Sequence, residues 1–230
     1  MKILAIETSA KSVSAAVVEG GVPLASAYQN RGLTHSRTLM PLLDGMLSAA
    51  GLKAEDMDLL AVANGPGSFT GLRIGVSALK GLAWALEKPC CGVSTLAAMA
   101  RNLAHMEGLI VCAMDARRDQ VYNALFQAHD GILTRQCPDR AISLAELSEE
   151  LKNRPEPKFI VGDGAKLCYT ERRGRGPGRG GNICQRPDHH RPGPGARISA
   201  AEPGRAGAPG PWPEDHIGSI ILYIKEKHHV

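Results

Sequence analysis

The stretch NGPGSFTGLRIG, Asn64–Gly75, decides how the chain is read. It sets glycines at 65, 67, 71 and 75 around a Pro, a Ser, a Thr and an Arg. The apolar run MDLLAVANG (57–65) leads into it and GLRIGVSALKGLAWALEK (71–88) leads out. The first reads as a buried strand and the second as a helix, so a tight strand-to-helix turn is predicted. Such a turn ends in a helix N-terminus, which can bind anions generically. A Walker loop needs GxxxxGK[ST], with Lys on the phosphates and Ser/Thr on magnesium. Five residues on from Gly65 and Gly67 stand Thr70 and Leu72, and no Lys-Ser/Thr pair follows. A dinucleotide fingerprint needs GxGxxG, whereas three residues separate Gly67 from Gly71. Both phosphate motifs fail. What remains is backbone geometry: Gly65 and Gly67 permit positive φ, while Gly71 and Gly75 let the helix pack close.

Outward from the turn, the chain alternates between two periods. KILAIETS (2–9) holds a continuous apolar run typical of a strand buried on both faces. SVSAAVVEGGVPLASAYQ (12–29) shows two alternating runs about Gly20-Gly21, a hairpin. In HSRTLMPLLDGMLSAAGL (35–52), Leu39, Leu42, Leu43, Met46, Leu47 and Ala50 fall on one helical face, with Gly51 at the C-terminal cap. Pro41 fits a first turn or marks a kink. The helix after the glycine turn has Leu72, Val76, Leu79, Ala83 and Leu86 on an apolar face. Gly71, Gly75, Ala78 and Ala85 make a face of small residues open to close approach by another backbone. CCGVS (90–94) reads as a buried strand with Cys90 and Cys91 as small apolar residues, and TLAAMARNLA (95–104) as a helix. The order βββαβαβα is that of an RNase H-like α/β lobe, expected over residues 1–105.

A second lobe is expected over 106–171. LIVCAMDARRDQVYNALFQAHDGILTRQ (109–136) reads as two or three strands, and KFIVGDGA (158–165) as a strand ending in a Gly-Asp-Gly turn. SLAELSEELKN (143–153) is a helix with Ser143 as N-cap and Glu146 completing a capping box. Between 172 and 211 the pattern stops: Gly, Pro and Arg make up 25 of 40 residues. Too few aliphatics occur there to offset the entropy of ordering. The segment 172–230 is therefore expected to be disordered and the second lobe incomplete. It reads either as a natural Arg-rich arm that touches RNA or as an out-of-frame translation of a GC-rich gene; the break in mid-pattern favours the second. GSIILYIKEKHHV (218–230) reads as a short strand or helix without a role, and the His pairs at 189–190 and 228–229 lack a third ligand at metal spacing.

Charge narrows the partners. Residues 172–211 carry eight Arg, no Lys and two acids, +6, which leaves −2 of the chain's +4 for the rest. The body is thus mildly acidic and offers no basic face for nucleic acid. No run of 18 apolar residues occurs, so no membrane helix is expected. Six cysteines without a CxxC pair argue against zinc or thioredoxin-like redox chemistry and for a reducing cytoplasm.

Four segments together, ILAIETS, HSRTLMPLLDGML, AVANGPGSFTGLRIGVSALKGLAWAL and MDARRDQVYNALF, resemble the TsaB (YeaZ) branch of the TsaB/TsaD family over roughly residues 1–170. The resemblance implies an actin-like ATPase fold of two lobes and a place in threonylcarbamoyladenosine biosynthesis on tRNA. It implies a catalytically idle partner of the TsaD transferase, which modifies adenosine 37 of tRNAs reading ANN codons. The implied assembly is a heterodimer with TsaD through the first lobe, joined by a TsaE-type ATPase, or a homodimer when alone. Transfer RNA would be met only indirectly.

Individual residues fit that reading. TsaD-type enzymes hold a metal with HxxxH on the first long helix; here His35 occupies the first position and Leu39 the second. A lone His cannot hold a catalytic metal, which takes about three protein ligands, so no metal and no cofactor beyond weak nucleotide binding is expected. Glu7, Gly65, Gly67, Ser68 and Thr70 would form a vestigial nucleotide region. Asp163 matches a phosphate-region turn of actin-like folds, and Asp115, Arg117 and Arg118 read either as a mixed-charge site at a lobe junction or, in preference, as a structural ion pair. Leu39, Leu43, Leu47, Leu72, Val76 and Leu79 would supply apolar anchors for the partner, although sequence does not separate them from core. The alternative is an actin-like-fold ATPase or small-molecule kinase acting alone, which magnesium-dependent ATP turnover would reveal. RNA binding through the Arg-rich tail would show steep salt dependence lost with residues 172–211. A protease has no support, because no HExxH, diagnostic Ser-His-Asp grouping or activated Cys is present.

Overall fold

The computed structural model describes residues 1–174, the last four by backbone alone. The Arg-rich stretch from 175 onward, Cys184, the two His pairs and the ending GSIILYIKEKHHV lie outside the described residues. The first lobe runs β1 (Lys2–Glu7), β2 (Val13–Glu19), β3 (Val22–Gln29), α1 (His35–Ala49), β4 (Leu59–Gly65), α2 (Phe69–Ala85), β5 (Cys90–Ser94) and α3 (Thr95–Arg101). The second runs β6 (Gly108–Arg117), β7 (Gln120–His129), β8 (Ile132–Arg135), β9 (Arg140–Ser143), α4 (Leu144–Lys152), β10 (Lys158–Val161) and α5 (Ala165–Gly174). The expected order βββαβαβα is therefore present.

Both sheets solve the same problem in the same way. In the first, the order is β3-β2-β1-β4-β5, with β1 antiparallel to β2 and parallel to β4. In the second, β8-β7-β6-β10 repeats the pattern, with β6 antiparallel to β7 and parallel to β10. The parallel partner needs a crossover, and a helix supplies it each time. β9 pairs with the end of β7 that β8 leaves free.

The apolar periodicities map onto two layers per sheet. Leu39, Leu43, Met46 and Leu47 of α1 and Leu79 and Ala83 of α2 pack against Leu4, Ile6, Val13 and Val62 on one face of the first sheet. Gly51 takes φ 66° just past α1, as a C-terminal glycine does. Pro41 sits inside α1 rather than in its first turn. In the second sheet one face meets α3 through Leu96, Met99 and Ala100, and the other meets α4 through Leu144, Leu147 and Leu151. The capping box at Ser143 and Glu146 forms as read.

Two readings need correction. Cys90 is exposed and Cys91 half-buried, because β5 is the edge strand of its sheet rather than a central one. Helix α5 was not anticipated; it carries the chain to Gly174, into the stretch assigned to the tail. Its sequence, AKLCYTERRG, is short and too polar to announce a helix by periodicity.

Leu39 and Leu79 are each 1% exposed on helices packed flat against the sheet. Truncating either to Ala should cost about 2–5 kcal/mol through lost burial and a residual cavity, readable from urea unfolding midpoints.

Candidate functional site

The glycine turn joins β4 to α2 and is shaped by contact with the loop after β1. Gly65 takes φ 114° before a cis bond to Pro66, so its glycine is conformational. Gly67 is required for space instead: a Cβ there would lie 2.6 Å from the Ser9 carbonyl oxygen. Added Cβ atoms at Gly71 and Gly75 would lie 2.1 Å from the Thr8 carbonyl oxygen and 2.2 Å from Thr8 Oγ1. Of the small-residue face of α2, Gly71 meets the Thr8 backbone and Gly75 the Thr8 side chain of the same chain, while Ala85 is exposed.

Hydrogen bonds complete the closure. Ser68 N donates to the Ser9 carbonyl at 2.7 Å. Ser68 caps α2 by accepting from Gly71 N at 3.3 Å, and Leu72 N donates to the Ser68 carbonyl. Glu7, 2% exposed, accepts from Ser9 N and so folds the loop that meets α2. The Thr8 and Ser9 hydroxyls and His35 Nδ1 are buried without a hydrogen bond. His35 Nε2 lies 2.9 Å from the Ala10 carbonyl, which ties the start of α1 to the same loop. At this helix start Ser68 N is taken by the Ser9 carbonyl, Gly71 N and Leu72 N bond to Ser68 itself, and the carbonyl oxygens of Thr8 and Ser9 press against Gly71 and Gly67. Thr70 is exposed on the first turn of α2. One helical turn after His35, Leu39 is core and offers no ligand.

Beside the turn lies a cleft of about 490 Å³ lined by Asn64, Gly65, Pro66, Gly67, Phe69 and Leu72 of the first lobe and Tyr122 and Asp139 of the second. Asp139 accepts from Ser94 Oγ at 2.6 Å and pairs with Arg135 at 2.7 Å. Arg73 stands 4.0 Å over the Phe69 ring. Tyr122, Asp139 and Ser94 carried no signal at the sequence level, since only the packing of two distant segments brings them together.

The interface candidates divide. Leu39, Leu43, Leu47 and Leu79 are buried in the first-lobe core and hold the fold, so they are not surface anchors. Leu72 and Val76 are half-buried on α2. The large apolar side chains that α1 and α2 do expose are Met40, Phe69 and Trp84, the last at 86%. Periodicity missed them because a buried stripe and an exposed patch use the same residue types.

Asp115, Arg117 and Arg118 do not form the expected ion pair among the described residues. Asp115 instead accepts from Arg117 N at 2.7 Å and donates its own N–H to Asp163 at 3.1 Å. All lie within the second lobe. At its far hairpin, Glu107, His129 and Asp130 come within ligating reach of one another, all exposed.

A family model described as TsaD, tRNA N6-adenosine threonylcarbamoyltransferase, matches residues 4–163. The tRNA threonylcarbamoyladenosine biosynthesis protein TsaB of Bacillus subtilis is 38% identical over 167 residues, covering 73% of each chain. The chain belongs to the TsaB branch of this family. The Escherichia coli TsaB is 32% identical over 167 residues, 71% of this chain and 72% of its own. The solved structure of YeaZ from Pseudomonas aeruginosa superposes with a TM-score of 0.61 at 29% identity, covering 81% of each chain. The α/β fold with two sheets is thus shared with YeaZ over most of the chain. No helix among the described residues is long and apolar enough to cross a membrane.

Two measurements test this account. Gly71→Ala should destabilise by about 1–3 kcal/mol through overpacking against Thr8. Gly81→Ala, where an added Cβ meets nothing, should stabilise by about 0.5–1 kcal/mol; equal effects in urea unfolding would refute the close approach. The hydrogen bond that His129 Nδ1 donates to Glu107 raises the His129 pKa, and the same bond lowers that of Glu107. The His129 contribution is complete below the unfolded imidazole value and is lost as pH rises through the raised one. That of Glu107 is complete above its unfolded value and is lost as pH falls through the lowered one. Both are whole between about pH 4.5 and 6.5. An NMR titration should place His129 above an ordinary imidazole, and Glu107→Gln should bring it back down.

Proposed function

We propose that this chain serves threonylcarbamoyladenosine formation on tRNA as a non-catalytic partner of a TsaD-type transferase. The closed glycine turn carries the reading. An actin-like ATPase needs free donors where its nucleotide phosphates lie, and here the Thr8–Ser9 loop takes that ground. Nucleotide is therefore at most a weak ligand, and the missing second histidine at Leu39 removes the metal of the transferase. The chemistry, at adenosine 37 of tRNAs reading ANN codons, belongs to the partner, and this chain works with it in the cytoplasm.

The surface for that partner is the outer side of α1 and α2, which cover one face of the first sheet together. Met40 of α1 and Trp84 of α2 are exposed, and Leu72 and Val76 of α2 are half-exposed. A large exposed aromatic is the residue type that dominates interface energetics. The same surface would self-associate in the absence of partner, and a TsaE-type ATPase would join the heterodimer.

Size-exclusion chromatography with light scattering should give a heterodimer when the chain is mixed with its TsaD-type transferase. Trp84→Asp and Met40→Asp should each weaken it by tenfold or more, about 1.4 kcal/mol or above. Intact binding by both variants would sink the surface. Magnesium-dependent ATP turnover by the chain alone would instead favour the solitary ATPase or kinase.

A further inference from the structure

Three hairpins in this chain close through two-residue loops. Glu19 pairs with Val22, His129 with Ile132 and Arg117 with Gln120. All three loops take positive φ at both central residues: Gly20 and Gly21 at 56° and 84°, Asp130 and Gly131 at 49° and 75°, Arg118 and Asp119 at 52° and 57°. Such turns favour Asn-Gly, Asp-Gly or Gly-Gly, because a Cβ is strained there. The first two hairpins obey this preference. The third spends it on Arg-Asp and adds a third left-handed residue, Arg117 at φ 66°, beside a register shift after Asp115.

The strained tip is firmly held. Arg117 N donates to Asp115, and Asp115 N to Asp163 in the β10–α5 loop. Gly164 N donates to the Ala113 carbonyl at 3.0 Å, and Leu144 N, at the start of α4, to the Asp119 carbonyl at 3.0 Å. Arg135, Arg140 and Arg154 are in ion pairs; Arg117 and Arg118, both exposed, pair with no carboxylate among the described residues. Of the acids nearby, Asp115 and Asp163 each aim an oxygen at an amide, while Asp119, exposed in the turn itself, offsets one of the two positive charges. Nothing in the fold needs a guanidinium at either position, and the backbone would accept Gly and Asn more readily. Strain retained where the surroundings clamp it points to a function.

We infer that the Arg117–Arg118 tip is a preorganised contact for RNA phosphates. Two adjacent guanidiniums can match phosphate oxygens bidentately, and the clamped turn leaves only their side chains to be ordered on binding. RNA is favoured over an acidic protein surface by the reading that this chain serves tRNA modification, on which the inference rests. It makes the tRNA contact direct, where the family resemblance implies an indirect one.

The test installs the residues that the turn prefers. In the full chain, Arg117→Gly with Arg118→Asn removes both charges and relieves the backbone, so the melting temperature should hold or rise by a few degrees. Binding of an unmodified tRNA transcript, followed across a salt series, should weaken about tenfold, with the slope of log K against log salt shallower by about 1 to 2. Residues 175–230 are identical in both proteins, so the difference reports on the turn. Arg117→Lys with Arg118→Lys should keep most of the slope and lose part of the affinity. An unchanged slope and affinity would overturn the inference, as would weaker binding to the transferase with tRNA binding untouched. Light scattering with the transferase, run on the same two proteins, reads the scaffold role separately: if wild type fails to pair, that reading falls, while the tRNA series on the chain alone still decides this one.

Discussion

The structure depends on one close approach. The loop after β1 lies against the start of α2 so tightly that Gly67, Gly71 and Gly75 have no room for a Cβ. Ser68 N donates into the Ser9 carbonyl, Glu7 shapes the loop from beneath, and His35 reaches the Ala10 carbonyl from α1. Two helices and the central strand therefore share one anchor. Polar atoms buried without partners in the same place, the Thr8 and Ser9 hydroxyls among them, are a cost that only strong packing elsewhere sustains.

That contact also sets the limits of the chemistry. A helix N-terminus at a glycine-rich turn is an anion site only while its amides face open space. Here the neighbouring loop takes the Ser68 amide and Ser68 itself takes those of Gly71 and Leu72, so the turn fixes how α2 leaves the sheet. Trp84 and Met40 are exposed because the opposite sides of their helices are committed to the core. An inert turn and an available helix surface are thus two results of the same packing.

The second lobe repeats the strand order of the first while serving a different purpose. Its sheet packs α3 on one face and α4 on the other, so α3 ties the two lobes together. Ser94, at the junction of β5 and α3, donates to Asp139 across the cleft. At the hairpin tip Arg117–Asp119 turn chemistry and sequence disagree, and two other hairpins among the described residues show what agreement looks like.

Much was legible beforehand. Apolar runs and 3.6-residue stripes are local consequences of burial, so the strands through Ser94, α1, α2 and the capping box of α4 could be placed from residue order alone. The spacing of glycines showed that no phosphate motif was intact. Edge position was not legible: CCGVS is apolar enough for a central strand, yet β5 lies at the border of its sheet and exposes Cys90. Nor could a leucine stripe say whether it met a partner or the chain's own sheet, because both require the same residues; Leu39, Leu43, Leu47 and Leu79 proved to be core. The sequence by itself determined the strands and helices through α3, the capped helix α4 and the presence of Leu39 one turn after His35, all carried by local periodicity and residue identity. Tertiary structure alone decided that Thr8 and Ser9 fill the glycine turn, that Tyr122 and Asp139 border its cleft and that Arg117 and Arg118 meet no carboxylate among the described residues. Those facts depend on segments far apart in the chain meeting in space, and no window of sequence contains both sides of the contact.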